Sequence, residues 1–322
     1  MIKRLVKIFE YSPVLLLIAL TLFICLFGNY SKTVTEGISL WFSCVLPSLF
    51  PYLFITALLS SLPSTSKLFL RFSPVTTRLF KVGGSSGYAF FLSIISGYPV
   101  GAKTVSELKL NNLIDDNESV RSACLCSTAS PTFLISSVGA ITFNSKFFGI
   151  LLYLSHILGA ILNGILFSFY KSKGYRPKKT FIPLQENSNS LYDITFSSVI
   201  SVLVVGGLIT VFYLLTAVLS DLKVLSPLEN LLTAVFANEN LSKGIVCGLL
   251  ECTGGVKKLS ALPLKTALPA CAFLSGFGGI SIIMQSIAFL KRAKIKIAPF
   301  ILSKVTSAIF CLSFGFIFSL LL

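Results

Sequence analysis

The sequence predicts an all-α polytopic membrane protein built as an inverted repeat, and three observations predict it. Hydrophobic residues make up 54% of the 322 and charged residues only 12%, against about 25% charged in a soluble chain. The apolar residues fall in long runs, Pro13–Gly28, Ile38–Leu62, Phe147–Tyr170, Ile194–Leu219 and Pro299–Leu322, several without an internal charge. A hydrocarbon core of about 30 Å takes roughly 20 such residues of helix to cross. The third observation is a set of matches between the two halves at a nearly constant offset of 154 residues.

The first run follows Lys3, Arg4 and Lys7. That start resembles a signal peptide, but Gly28-Asn29-Tyr30 is a poor cleavage site. Residues 1–33 are therefore read as a retained N-terminal transmembrane helix. The 27 basic residues against 12 acidic ones are explained by cytoplasmic loops, where Lys and Arg accumulate, so no nucleic-acid partner is predicted. Sixteen of the 27 lie in four clusters: Lys3–Lys7, Lys67–Lys81, Lys171–Lys179 and Lys291–Lys296. With all four on the cytoplasmic side, helices at 13–28 and 38–62 lead out and back. Helices at 119–143 and 147–170 do the same, so the segment 87–115 has to enter and leave on one side as a re-entrant hairpin.

The second half follows the same order. A polar cytoplasmic linker, 180–193, precedes a helix at 194–220 leading out, a hairpin at 244–262, a returning helix at 266–290 and an outgoing one at 299–322. Lys257, Lys258 and Lys265 fall on the outer side in this scheme, against the charge rule. Phe42, Ser43, Val45, Ile55 and Thr56 match Phe196, Ser197, Val199, Ile209 and Thr210. Ser73 and Pro74 match Ser226 and Pro227 after a one-residue slip, and Gly101 and Lys103 match Gly255 and Lys257 once it reverses. The chain thus divides into a first repeat, 34–179, and a second, inverted repeat, 194–322. Inverted repeats with a solute site at mid-membrane are a common transporter-like architecture.

Breaks in apolar helices mark candidate sites, because non-helical backbone in lipid persists only where protein or water satisfies it. Four are legible. Ser96-Gly97-Tyr98-Pro99-Val100-Gly101-Ala102-Lys103 and Glu251-Cys252-Thr253-Gly254-Gly255 form the hairpin tips. Ser127-Thr128-Ala129-Ser130-Pro131 and Ser275-Gly276-Phe277-Gly278-Gly279-Ile280-Ser281 interrupt crossing segments. Free N–H groups and positive dipole ends there suit an anion; equally, Gly and Pro in such helices serve close packing. Pro47 and Pro51 are read as scaffold.

Glu251 is an intramembrane carboxylate, open to binding a cation, a proton or the solute, or to capping the turn at Thr253–Gly255. Lys103 either attracts an anion or snorkels to the surface. Gln285 and Thr104 are further polar candidates, and His156 is read as a bundle hydrogen-bonder rather than a proton relay. The eight cysteines include no CxxC pair and sit mainly in apolar runs, so no disulfide framework or metal is predicted. HExxH, Walker A and GxSxG motifs are lacking, so neither an enzyme nor a cofactor is predicted.

Leu46-Pro47-Ser48-Leu49-Phe50-Pro51, Ser96–Lys103, Glu251–Gly255 and Phe277-Gly278-Gly279-Ile280-Ser281 resemble the motifs of the YlbJ-like sporulation integral membrane proteins. That group is placed within the nucleoside-recognition, or Gate, domain family. The resemblance covers essentially the whole chain and implies that Gly97, Tyr98, Pro99, Gly101, Glu251, Thr253, Gly255, Gly278 and Gly279 carry the family's motifs. Cys124-Leu125-Cys126-Ser127 departs from the more polar stretch expected there. It also implies passage of dipicolinate across the outer forespore membrane. Nucleoside transport, or a non-transporting role in a sporulation assembly, remains open at this point. So do the coupling ion (H+ or Na+) and a homo-oligomeric state.

Overall fold

A computed structural model describes residues 21, 30–62, 73–175 and 190–322, and every regular element among them is helical. The predicted helix at 13–28 lies outside the described residues except for Thr21, as does the linker up to residue 189. Among the described residues four helical stretches, Lys146–Ser168, Leu191–Asp221, Leu264–Arg292 (interrupted at Gly278) and Ile297–Ser319, are long and apolar enough to cross a bilayer, five if one bent pair is counted as a span.

The predicted helix at 38–62 begins earlier and is broken. Helix α1 (Tyr30–Leu40) runs into a five-residue π turn, Trp41–Val45, and continues as α2 (Leu46–Ser61), with a bend of 52° between the two arms. The cause is local. Pro47 lacks an N–H and its ring crowds the carbonyl four residues earlier, which the widened turn accommodates. The boundary placed at residue 33 therefore falls inside α1.

Helix α3 (Ser73–Phe80) leads to a hairpin of α4 (Gly84–Ser96) and α5 (Val100–Leu110), followed by α6 (Asp116–Leu125). An unwound stretch, Cys126–Ser130, separates α6 from α7 (Thr132–Thr142), which is π-helical throughout. Helix α8 (Lys146–Ser168) closes the first half. In the second half α9 (Leu191–Asp221) precedes the short α10 (Ser226–Phe236), then the hairpin α11 (Glu239–Leu250) and α12 (Cys252–Leu259). Helices α13 (Leu264–Phe277) and α14 (Gly279–Arg292) meet at Gly278, and α15 (Ile297–Ser319) ends the chain. Both halves thus run long helix, Ser-Pro helix, hairpin, interrupted helix, 23-residue helix.

Lengths assign these elements to depths. At 1.5 Å per residue the 23 residues of α8 and of α15 span about 35 Å, enough for a 30 Å core. The hairpin arms have 13, 11, 12 and 8 residues, reaching about 12–20 Å, which is mid-depth. Helix α8 shows how each face is used. Phe147, Ile150, Leu154, Leu158, Leu162 and Leu166 form an exposed stripe at helical spacing, an apolar surface that suits lipid. Its other face buries Gly159 against the Cys311 backbone of α15. The Thr306 hydroxyl also donates to the Asn163 side-chain oxygen at 2.6 Å across this interface. Small residues and interhelical hydrogen bonds are what hold helices together where lipid removes the hydrophobic drive.

The two hairpins enter from opposite ends. Arg121 donates to the carbonyls of Lys81 and Tyr170 at 2.9 and 3.0 Å, and the Gly83 amide donates to Glu118 at 2.7 Å. Lys109 in the last turn of α5 and Asp116 at the start of α6 form an ion pair, and Lys109 holds the Asp116 carboxyl below the usual carboxylate range. Ile295 and Leu290 pack with Phe80 and Phe167 in one core cluster. The basic clusters around residues 78–81, 171–173 and 291–296 therefore meet at one end, where the first hairpin has its base. At the other end the Tyr30 hydroxyl donates to Asp221 at 2.8 Å, so α1 and α9 are antiparallel. Lys257 and Ser260, at the base of the second hairpin, share a cleft there with Lys32 and Thr142.

Candidate functional site

The first tip is shaped by Gly97. Its φ of +78° ends α4, its amide donates to the Ser93 carbonyl at 2.8 Å, and the following Tyr98–Pro99 bond is cis. A Cβ at Gly97 would stand 2.7 Å from the Ser130 amide nitrogen, so the tip rests directly on the unwound stretch after α6. The Thr128 amide donates to the Ser93 hydroxyl at 3.3 Å, and the two hydroxyls pair at 2.8 Å. No side chain caps the N-terminus of α5.

The second tip differs in one respect. Glu251, at the position that matches Gly97 by the 154-residue offset, accepts from the Thr253 amide at 3.0 Å and the Gly254 amide at 2.5 Å. It is only 1% exposed. The carboxylate thus caps α12 and occupies the N–H groups predicted to face an anion. A side-chain carbon on Gly279, at the start of α14, would lie 3.0 Å from the Gly248 carbonyl oxygen, so this tip also rests on an interrupted helix.

His156 joins the two interruptions. Its Nε2 accepts from the Ala129 amide at 2.7 Å, and its Nδ1 faces the Ser275 hydroxyl at 3.3 Å. Accepting at Nε2 requires an unprotonated nitrogen there, so Nδ1 carries the proton. The imidazole satisfies an N–H that the unwound backbone would otherwise strand.

Three of the four breaks border one central cavity of about 50 Å³, and the fourth, Ser275–Ser281, contributes no lining residue of its own. Ser96, Gly97 and Tyr98 come from the first tip and Glu251 and Thr253 from the second. Ser130 and Phe133 come from the break before α7, and Ile282 and Gln285 from α14. Val45 and Leu49 of the bent α1–α2 pair and Val205 and Ile209 of α9 complete the wall. The Pro47–Pro51 stretch read as scaffold therefore contributes a lining residue. The hydroxyls of Ser96 and Tyr98 are buried and have no hydrogen-bond partner. Few buried polar groups go unpaired, and each such group calls for a reason.

Two further cavities adjoin it, and the α1–α2 pair orders them like a ruler. Lys32 to Cys44 line a cleft of about 560 Å³, together with Lys257. Val45 and Leu49 line the centre, and Leu49 and Leu53 line a third cavity of about 270 Å³, together with Pro99 and Lys103. Lys103 and Lys257, matched by the repeat, thus stand on either side of the centre.

The remaining predicted residues lie around the cavity rather than on it. Gly101 and Gly255 are points of backbone contact, against the Cys126 carbonyl and Gly248 respectively. The Gly254 amide is taken by Glu251, Pro131 starts α7, and the Ser281 hydroxyl accepts from Gln285 at 3.4 Å. The Thr104 hydroxyl donates to the Val100 carbonyl at 3.0 Å. Ser127 and Gly278 meet a residue that the sequence reading passed over, Lys304 of α15. The Lys304 ammonium is 1% exposed, donates to the Ser127 hydroxyl at 3.0 Å, and lies 5.4 Å from the Tyr98 ring centroid. A Cβ at Gly278 would be 3.5 Å from it. Among the described residues no carboxylate lies within ion-pair distance of it. A charge at this depth costs about 2.5–3.5 kcal/mol or more. The signal was present, since a lysine within the apolar run 299–322 is an intramembrane charge.

Fold and site together define a multi-pass α-helical membrane protein whose interrupted helices meet around an internal cavity. Among known proteins, the chain is similar to the sporulation integral membrane protein YlbJ of Bacillus subtilis (strain 168). The two are 26% identical over 310 residues, covering 88% of this chain and 75% of that protein. No family model matches the chain, and no solved structure matches it.

Proposed function

We propose that this chain is a membrane transporter of a small polar or anionic solute, acting in endospore formation. The observation that carries the reading is the convergence of two hairpin tips, the break before α7 and the start of α14 on one central cavity, with a further cavity on either side. Interrupted backbone is tolerated in lipid where it lines such a space, and two opposed units around a central site are how many secondary transporters alternate access. The likeness to a sporulation membrane protein supports the setting. The motif resemblance supports dipicolinate as the solute and the outer forespore membrane as the location. The reading includes no chemical step.

Two measurements test it. Spores of a strain lacking the gene are expected to hold little dipicolinate; a normal content overturns that choice of solute. Proteoliposomes containing the purified protein are expected to take up labelled dipicolinate in preference to labelled uridine. The reverse preference would support nucleoside transport, and uptake of neither would support a non-transporting role.

A further inference from the structure

We propose that Lys304 is the charge-selecting residue of the central site, acting through space on an anion that accepts from the unpartnered hydroxyls of Ser96 and Tyr98. The inference rests on the transport reading and adds to it the groups that recognise the solute.

Three independent observations lead there. Lys304 is a buried ammonium with a single neutral hydrogen-bond acceptor, Ser127, and no carboxylate in reach among the described residues. The other intramembrane charge, Glu251, has both oxygens on its own backbone amides, so it does not neutralise the lysine. The Ser96 hydroxyl is wholly buried, lines the cavity and has no partner, and the Tyr98 hydroxyl is likewise unpaired. Tyr98 lines the cavity, and the Lys304 ammonium lies 5.4 Å from its ring centroid. Lys304 is not itself a lining residue, so it acts on the solute through space beside Tyr98. A carboxylate entering beside Tyr98 would accept from both hydroxyls and bring a negative charge to the lysine in a site of low dielectric, where such pairing is strong. Third, the first hairpin tip has Gly97 where the second has Glu251, and no side chain caps α5. The protein's own carboxylate is present at one tip and lacking at the other.

The test is equilibrium binding to the purified full chain in detergent, with pyridine-2,6-dicarboxylate and its neutral isostere pyridine-2,6-dicarboxamide as probes. Wild type is expected to bind the dianion at least about tenfold more tightly than the diamide. Lys304→Met is expected to abolish that preference, and Lys304→Arg to retain it. Ser96→Ala and Tyr98→Phe keep the proposal testable if Lys304→Met does not fold. Removing a buried hydroxyl that has no partner is expected to raise the melting temperature of the ligand-free protein while weakening the dianion by several-fold. A purely structural hydroxyl would not shift the two in opposite directions. Equal binding of both probes by wild type, or an undiminished preference in Lys304→Met, overturns the proposal. Binding of the dianion without uptake into proteoliposomes would instead sink the transport reading and leave this one standing.

Discussion

Glu251 does two things at once: it caps α12 through the Thr253 and Gly254 amides and it presents a carboxylate to the cavity wall. Two substitutions separate them. Glu251→Asn keeps a good helix cap without the charge, so it is expected to fold within about 1 kcal/mol of wild type. If the charge serves transport, uptake by this variant falls about tenfold or more at unchanged abundance, as befits an intramembrane carboxylate. Undiminished uptake would make Glu251 a cap and nothing else. His156 is the opposite case. Its Nε2 holds the Ala129 amide, so His156→Phe strands a buried N–H and is expected to lower stability by about 1–3 kcal/mol. The pH profile of whatever uptake remains should be that of wild type. A changed profile would restore the proton-relay reading.

At the scale of elements, the hairpins work because each tip fits an interruption in a neighbouring helix. Gly97 meets that requirement twice, through its left-handed φ of +78° and through the 2.7 Å that a Cβ would leave to the Ser130 nitrogen. Gly97→Ala is therefore expected to push the first tip off the break before α7. It combines backbone strain of about 1 kcal/mol or more with a steric clash, read as a lower melting temperature and loss of uptake. Gly207 is the control: a Cβ there has nothing within 4 Å, so Gly207→Ala in α9 is expected to leave both unchanged or to add stability. Loss from both substitutions alike would mean that the tip contact has no special part. The bend between α1 and α2 belongs to the same scale, since it brings Val45 and Leu49 to the cavity.

Over the whole molecule, the three cavities lie in series along the α1–α2 pair, with Lys257 and Lys103 on opposite sides of the centre. Thr35 and Ser201 line the two flanking cavities. In a background with Cys44→Ser, which removes the native thiol from the Thr35 cleft, Thr35→Cys and Ser201→Cys are expected to react with a membrane-impermeant maleimide from opposite faces of the bilayer. Reaction of both from one face would end the view that the two hairpins enter from opposite sides. The seven described cysteines are all free thiols, six of them buried, and the background without either new cysteine is the control for the rest.

Class and the places of the breaks were legible in the linear chain because each depends on neighbours in sequence. Runs of apolar residues set the spans, Gly and Pro set the interruptions, and the 154-residue offset paired Lys103 with Lys257. The roles of the polar groups were decided only in three dimensions. That Glu251 spends its oxygens on its own helix, that His156 clamps two breaks, and that Gly101 and Gly255 are contact points rather than lining depend on which distant backbone each one meets. Lys304 makes the point most plainly. One lysine among 27 basic residues acquires its meaning from Ser127, Tyr98 and Gly278, which lie far away in the chain. In lipid a buried charge or an open backbone must be answered by some partner, and the choice of partner is a property of the packing.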